Sequence, residues 1–146
     1  MTGPFVAVIA GSKSDQVITD EVSKVLTELK VSHEVQFISA HRSPEKLRKY
    51  ITASGADVFI AVAGLSAHLP GVIASMTLKP VVGVPVGVKL GGLDSLLSIV
   101  QMPPGVPVAS VGVDSGRNAG ILAAEIVAPS DPAILEGLRK MREAWL

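Results

Sequence analysis

Three short segments of the chain concentrate the residue types that hold phosphates and move protons. The first, Gly11-Ser12-Lys13-Ser14-Asp15, offers a glycine for close backbone approach, two hydroxyls and the free amides of a helix start, a set suited to a phosphate or other anion. The same Ser and Asp are also common helix caps, and Asp15 can instead accept hydrogen bonds from sugar hydroxyls. The second, Ser39-Ala40-His41-Arg42-Ser43-Pro44, sets a group that titrates near neutrality beside a planar donor for phosphate. A solvated loop pair is the plainer alternative. The third runs from Gly64 through Leu65, Ser66, Ala67, His68, Leu69 and Pro70 to Gly71, with His68 either a hydrogen-bonded structural histidine or a functional one. His33 falls in a predicted strand without a helpful neighbour and reads as structural or exposed.

Much other chemistry is excluded. With no cysteine among 146 residues there is no thiol nucleophile, thiolate zinc site or iron–sulfur cluster. The scattered His, Asp and Glu have no metal-ligand spacing, so no metal is expected. Neither a Gly-x-Gly-x-x-Gly nor a Gly-x-x-x-x-Gly-Lys-Ser/Thr motif occurs, which argues against dinucleotide cofactors and P-loop hydrolysis. Thirteen Lys and Arg against thirteen Asp and Glu give a net charge of zero, with no basic field for nucleic acid or an anionic membrane. What remains is a small phosphorylated ligand and histidine acid–base chemistry without metal or redox cofactor.

The elements that would position these loops alternate short apolar strands with longer segments of helical periodicity, the pattern of a parallel sheet wrapped by helices. Strands are predicted at 5–10, 33–38, 58–63, 81–86 and 106–113, and helices at 15–30, 44–55, 69–76, 93–101, 117–128 and 131–145. Ser14 caps the first helix; Ser43 caps the second, with Pro44 at its first position, and Pro103 and Pro104 stop the fourth. In an open parallel sheet ligands bind outside the carboxyl ends of the strands, and a strand order 2-1-3-4-5 brings all three loops to one crevice. Nothing divides the chain, so residues 1–146 are read as a single α/β domain.

The chain is 48% hydrophobic and 18% charged, with five aromatic residues and a mean hydropathy of +0.48, more apolar matter than a small monomer easily hides. Asp94 is the only charge in 93–101 and Glu125 the only one in 118–128, so both helices need cover beyond a three-layer fold. An oligomer is expected. The uncharged runs 58–78 and 95–113 are interrupted by Gly, His, Gln and Pro and read as strand, loop and helix rather than membrane spans, and no leader is evident. A soluble cytoplasmic protein is expected.

At these residues the chain resembles the purine-biosynthesis family of 5-(carboxyamino)imidazole ribonucleotide mutase and aminoimidazole ribonucleotide carboxylase. The resemblance rests on Gly11 to Asp15, Ser39 to Pro44, Ala67 to Gly71 and the stretch from Asp94 to Ala109, in that order along nearly the whole chain. It implies a flavodoxin-like three-layer sandwich, an octamer with sites at subunit junctions, and no cofactor. It implies further a carboxylate moved from the exocyclic nitrogen to ring carbon 4 of an aminoimidazole ribonucleotide by decarboxylation and recarboxylation. Carried over by position, Ser12, Ser39 and Arg42 would bind phosphate, Asp15 the ribose, and His41 would be the general acid/base, with His68 shaping the pocket. Gly11, Ser14, Ala40, Gly64, Leu65, Ser66, Ala67 and Leu69 would line the substrate. The loop 64–71 would present amides to the carboxylate, while Ala67 and Leu69 exclude water. Gly64-Leu65-Ser66-Ala67 stands where mutases read Gly-Gly-Ala-Ala, and its Gly-Leu-Ser resembles the carboxylase branch. Direct carboxylation with free carbon dioxide, and a non-catalytic phosphoribosyl sensor, are therefore the alternatives.

Overall fold

In a computed structural model that describes residues 3–145, five parallel strands form one sheet in the order β2-β1-β3-β4-β5. The strands are β1 (Phe5–Ala10), β2 (Ser32–Phe37), β3 (Val58–Gly64), β4 (Val81–Val86) and β5 (Ala109–Ser110). The helices are α1 (Gln16–Glu28), α2 (Pro44–Ala53), α3 (Leu69–Ala74), α4 (Leu93–Val100), α5 (Gly116–Val127) and α6 (Pro132–Glu143). The parallel sheet is the one expected from the alternation of elements, and the flavodoxin-like arrangement is the one the family resemblance implies.

Strand periodicity divides the core in two. Val6, Val8, Val58, Ile60, Val62, Val82 and Val84 face α1, α5 and α6, while Ala7, Ile9, Phe59 and Ala61 face α2, α3 and α4. β3 is buried along Val58–Ala63 because both of its faces are covered, whereas outermost β2 is half-buried throughout. Asp57 ties the entering ends of three strands. It accepts from the Phe5 amide at 3.0 Å and pairs with Lys79 at 3.1 Å, and the amide bond foremost holds its carboxyl below the usual range.

Three sequence expectations are corrected. β5 pairs only at Ala109 and Ser110, opposite Val82 and Gly83, instead of over 106–113. Pro107 has no amide to donate, and beyond Ser110 the chain returns to β4 only through Val111 N to Gly83 O and Asp114 N to Pro85 O. Ser12, not Ser14, is the capping side chain at the first helical turn, a 3-10 turn over Lys13–Asp15. Ser43 occupies the N-cap position of α2 but its hydroxyl makes no capping bond.

The two sparsely charged helices differ. α4 leaves Leu93 54%, Leu97 44% and Val100 44% exposed. α5 is buried on the face toward α1, where glycines let the two helices come close: a Cβ at Gly116 would lie 2.5 Å from the Ile18 carbonyl oxygen, and one at Gly120 2.3 Å from Val25 Cγ1, while Ile126 on its outer side stays 37% exposed. No helix among the described residues is long and apolar enough to cross a membrane.

Candidate active site

Each loop grows from the carboxyl end of a strand, and β2, β1 and β3 are adjacent, so the loops converge where the strand order reverses. After β1, Ser12 Oγ accepts from Ser14 N at 3.2 Å and lies 3.0 Å from Ser14 Oγ, so the two hydroxyls form a linked pair at the helix start. After β2, a turn is closed by Ser43 N to Ser39 O at 2.9 Å and Arg42 N to Ser39 Oγ at 3.2 Å, which sets His41 and Arg42 at its tip. Arg42 Nη2 reaches across to donate to Gly11 O at 3.0 Å, joining the first two loops.

The third loop brings His68 against His41. The rings meet edge to face, interplanar angle 90° and centroids 4.8 Å apart, with His41 Nε2 2.7 Å from His68 Nδ1. At that distance one nitrogen donates and the other accepts, so each ring fixes the other's tautomer. The amides of Ala67 and His68 turn back to the carbonyls of Leu65 and Ser66, at 2.8 and 2.7 Å. Two of the amides expected to face a carboxylate are therefore already engaged. His33 is structural: Nδ1 lies 2.9 Å from Val31 O and Nε2 3.1 Å from Ser23 Oγ.

A cavity of about 370 Å³ joins these groups, lined by Gly11, Ser12, Ser14, Asp15, Ser39, Ala40, His41, Arg42, Ala63, Gly64, Leu65, Ser66, Ala67, His68, Leu69 and Val88. Every site residue expected from sequence borders it. A larger cavity, about 800 Å³ between residues 74–81 and 105–109, contains one charged residue, Lys79, already paired with Asp57. It offers no acid–base pair, and the smaller cavity is the chemical one. Among the described residues no three His, Asp or Glu side chains gather as a metal site.

Sequence reasoning missed Ala63, Val88 and Asp114. Asp114 Oδ1 accepts from Gly87 N at 2.8 Å, holding the turn after β4 that presents Val88 to the cavity. Its backbone is left-handed at φ +55°, a conformation Asp tolerates better than most residues and the only sequence cue to its role. Leu65 is left-handed too, at φ +57°, where a leucine costs about 1–2 kcal/mol.

Asp15 is buried, and that burial foremost raises its carboxyl above the ordinary value, with the charge of Asp114 adding and the Ser14 hydroxyl opposing. Because the folded value is the higher one, this group favours the fold fully only below its unfolded titration, and that contribution is lost as pH rises through the folded value. Asp15→Asn is therefore expected to make the ligand-free protein more resistant to urea at neutral pH. The advantage should fade as pH falls into the ordinary carboxylate range. Equal urea midpoints at pH 7 would contradict it.

The chain matches the family model described as AIR carboxylase over residues 5–145. It is 55% identical to the N5-carboxyaminoimidazole ribonucleotide mutase of Methanocaldococcus jannaschii over 139 residues, 95% of this chain and 88% of that one. With the Pyrococcus abyssi protein of the same name it shares 53% identity over 144 residues, 96% of this chain and 83% of that one. Among solved structures, a variant of Treponema denticola PurE2 superposes with a TM-score of 0.87 at 24% identity, covering 98% of this chain and 91% of that one. That likeness concerns the fold.

Proposed function

The chain belongs to the AIR carboxylase family, and from that premise we propose that it is a mutase of purine biosynthesis acting on N5-carboxyaminoimidazole ribonucleotide. The observation that carries the reading is the 2.7 Å contact between His41 and His68 in a cleft that also holds Arg42 and the serine loop. Arg42, Ser12 and Ser39 bind the phosphate, and Asp15 accepts from the ribose hydroxyls. His41 supplies a proton to the exocyclic nitrogen as its bond to the carboxylate carbon breaks, the electron pair remaining on nitrogen and carbon dioxide departing. Ring carbon 4 then attacks that carbon dioxide, a carbon–carbon bond forms, and His41 takes back the proton of carbon 4. The net proton change is zero, so one histidine suffices. His68 holds His41 in a single tautomer for both steps.

The test compares the purified protein on the carboxyamino substrate with aminoimidazole ribonucleotide plus bicarbonate. Preference for the first supports the mutase. Greater efficiency with the second at physiological concentrations establishes the direct carboxylase, the reading to which Gly64-Leu65-Ser66 points. Binding without turnover of either leaves a sensor.

The assembly belongs to the same proposal: an octamer in which the exposed α4 face of Leu93, Leu97 and Val100 is covered by another copy. In a lone chain Leu97→Glu would cost little, because Leu97 is 44% exposed there. In an assembly it buries an unpaired carboxylate, and light scattering is expected to show smaller species together with lower activity. A fully active monomer of the unmodified chain would refute this.

A further inference from the structure

The cavity wall has an apolar half in which the family resemblance gives a water-excluding part to Ala67 and Leu69 alone. Its floor is Ala63, Ala67 and Leu69, all buried, and its lip is Leu65 and Val88, which are 50% and 51% exposed. Leu65 keeps a strained left-handed backbone at φ +57° that a glycine would adopt freely, and half its side chain is not packed into the fold. Its side chain therefore repays little of that strain in stability. Val88 is placed just as specifically: a Cβ on Gly64 would lie 2.8 Å from Val88 Cγ2, so the bare glycine is what admits the valine over the end of β3. The turn carrying Val88 is pinned in turn by Asp114.

We propose that Leu65 and Val88 form an apolar lip that retains carbon dioxide between the two halves of the reaction. This rests on the mutase reading above. Carbon dioxide has no net dipole and is lost either by diffusion or by attack of water on its carbon. A wall of methyl groups offers water no hydrogen bond and keeps the carbon beside ring carbon 4. The step it protects is balanced: the nitrogen–carbon bond breaks with its electron pair left on nitrogen, nitrogen gains one proton, and carbon 4 spends an electron pair on the carbon and loses one proton.

The experiment supplies substrate labelled with carbon-13 in the carboxylate, in unlabelled bicarbonate with carbonic anhydrase present to hydrate whatever escapes, and reads the product by mass spectrometry. The unmodified protein is expected to retain the label. Leu65→Gly is expected to raise the unlabelled fraction of product by about tenfold, equivalent to about 1.4 kcal/mol in the partition between capture and escape. It should also melt higher, since the backbone strain is gone, which separates lost retention from lost folding. Val88→Ala is expected to act in the same direction. Unchanged label retention in both variants overturns the proposal. Smaller species in light scattering with retention unchanged also overturns it, assigning Leu65 to a subunit contact. Failure of the unmodified protein to convert the carboxyamino substrate at all sinks the mutase reading as well, so the two failures are distinguishable.

Discussion

His41→Asn is expected to bind the ribonucleotide nearly as well as the unmodified protein and to turn it over at least about a hundredfold more slowly, the low end for loss of a general acid/base. Asparagine keeps a polar side chain at the tip of the β2–α2 turn and can still donate to His68 Nδ1, whose partner in the unmodified protein is His41 Nε2 at 2.7 Å. What it cannot do is carry a proton at neutral pH. Calorimetric titration with the product, beside steady-state kcat, separates the two effects. Nearly full activity would remove His41 from the proton transfers, and equal losses of binding and turnover would make it a contact residue instead.

Arg42→Ala is expected to show the opposite pattern, an affinity lowered about tenfold or more with kcat reduced less, since a hydrogen bond to a charged group contributes about 1.5–3 kcal/mol. Two contacts vanish together. The guanidinium would no longer meet the phosphate, and its 3.0 Å bond to Gly11 O would no longer hold the β1 and β2 loops side by side. Arg42→Lys should recover only part of the loss, because an ammonium is a point charge and cannot span both acceptors with a planar fork. The readout is KM for the ribonucleotide and the inhibition constant of inorganic phosphate. Unchanged values for both would place the phosphate elsewhere in the cavity.

The elements and the site were legible to different degrees for physical reasons. Strands β1, β3 and β4 are continuous apolar runs bounded by turn residues, so the β4 bounds Val81–Val86 follow from hydropathy alone. β5 was overread because Val106, Val108, Val111 and Val113 make the segment rich in β-branched residues, while pairing depends on amides and on register with β4, which hydropathy does not report. The site was legible because loops at the carboxyl ends of adjacent strands must converge, and their polar residue types are concentrated there. Asp114 and Val88 were not, since one acts through a backbone amide and the other enters only because Gly64 lacks a side chain. The close packing of α5 on α1 was missed for the same reason. Gly116 and Gly120 count as helix-weakening residues in sequence, yet they create the close approach to α1.

The brevity of β5 has a consequence for how copies can meet. A sheet margin with a row of unpaired amides and carbonyls is a template on which another molecule can add a strand, and repeated addition makes filaments. Here the margin beyond β4 is shielded along only two residues by β5, but the chain around it carries Pro103, Pro104 and Pro107, none of which can donate to an incoming strand. Extension of the sheet from molecule to molecule is thereby blocked on that side. In the proposed assembly copies meet instead through side-chain faces such as that of α4, and self-complementary faces of that kind close into finite, symmetric particles.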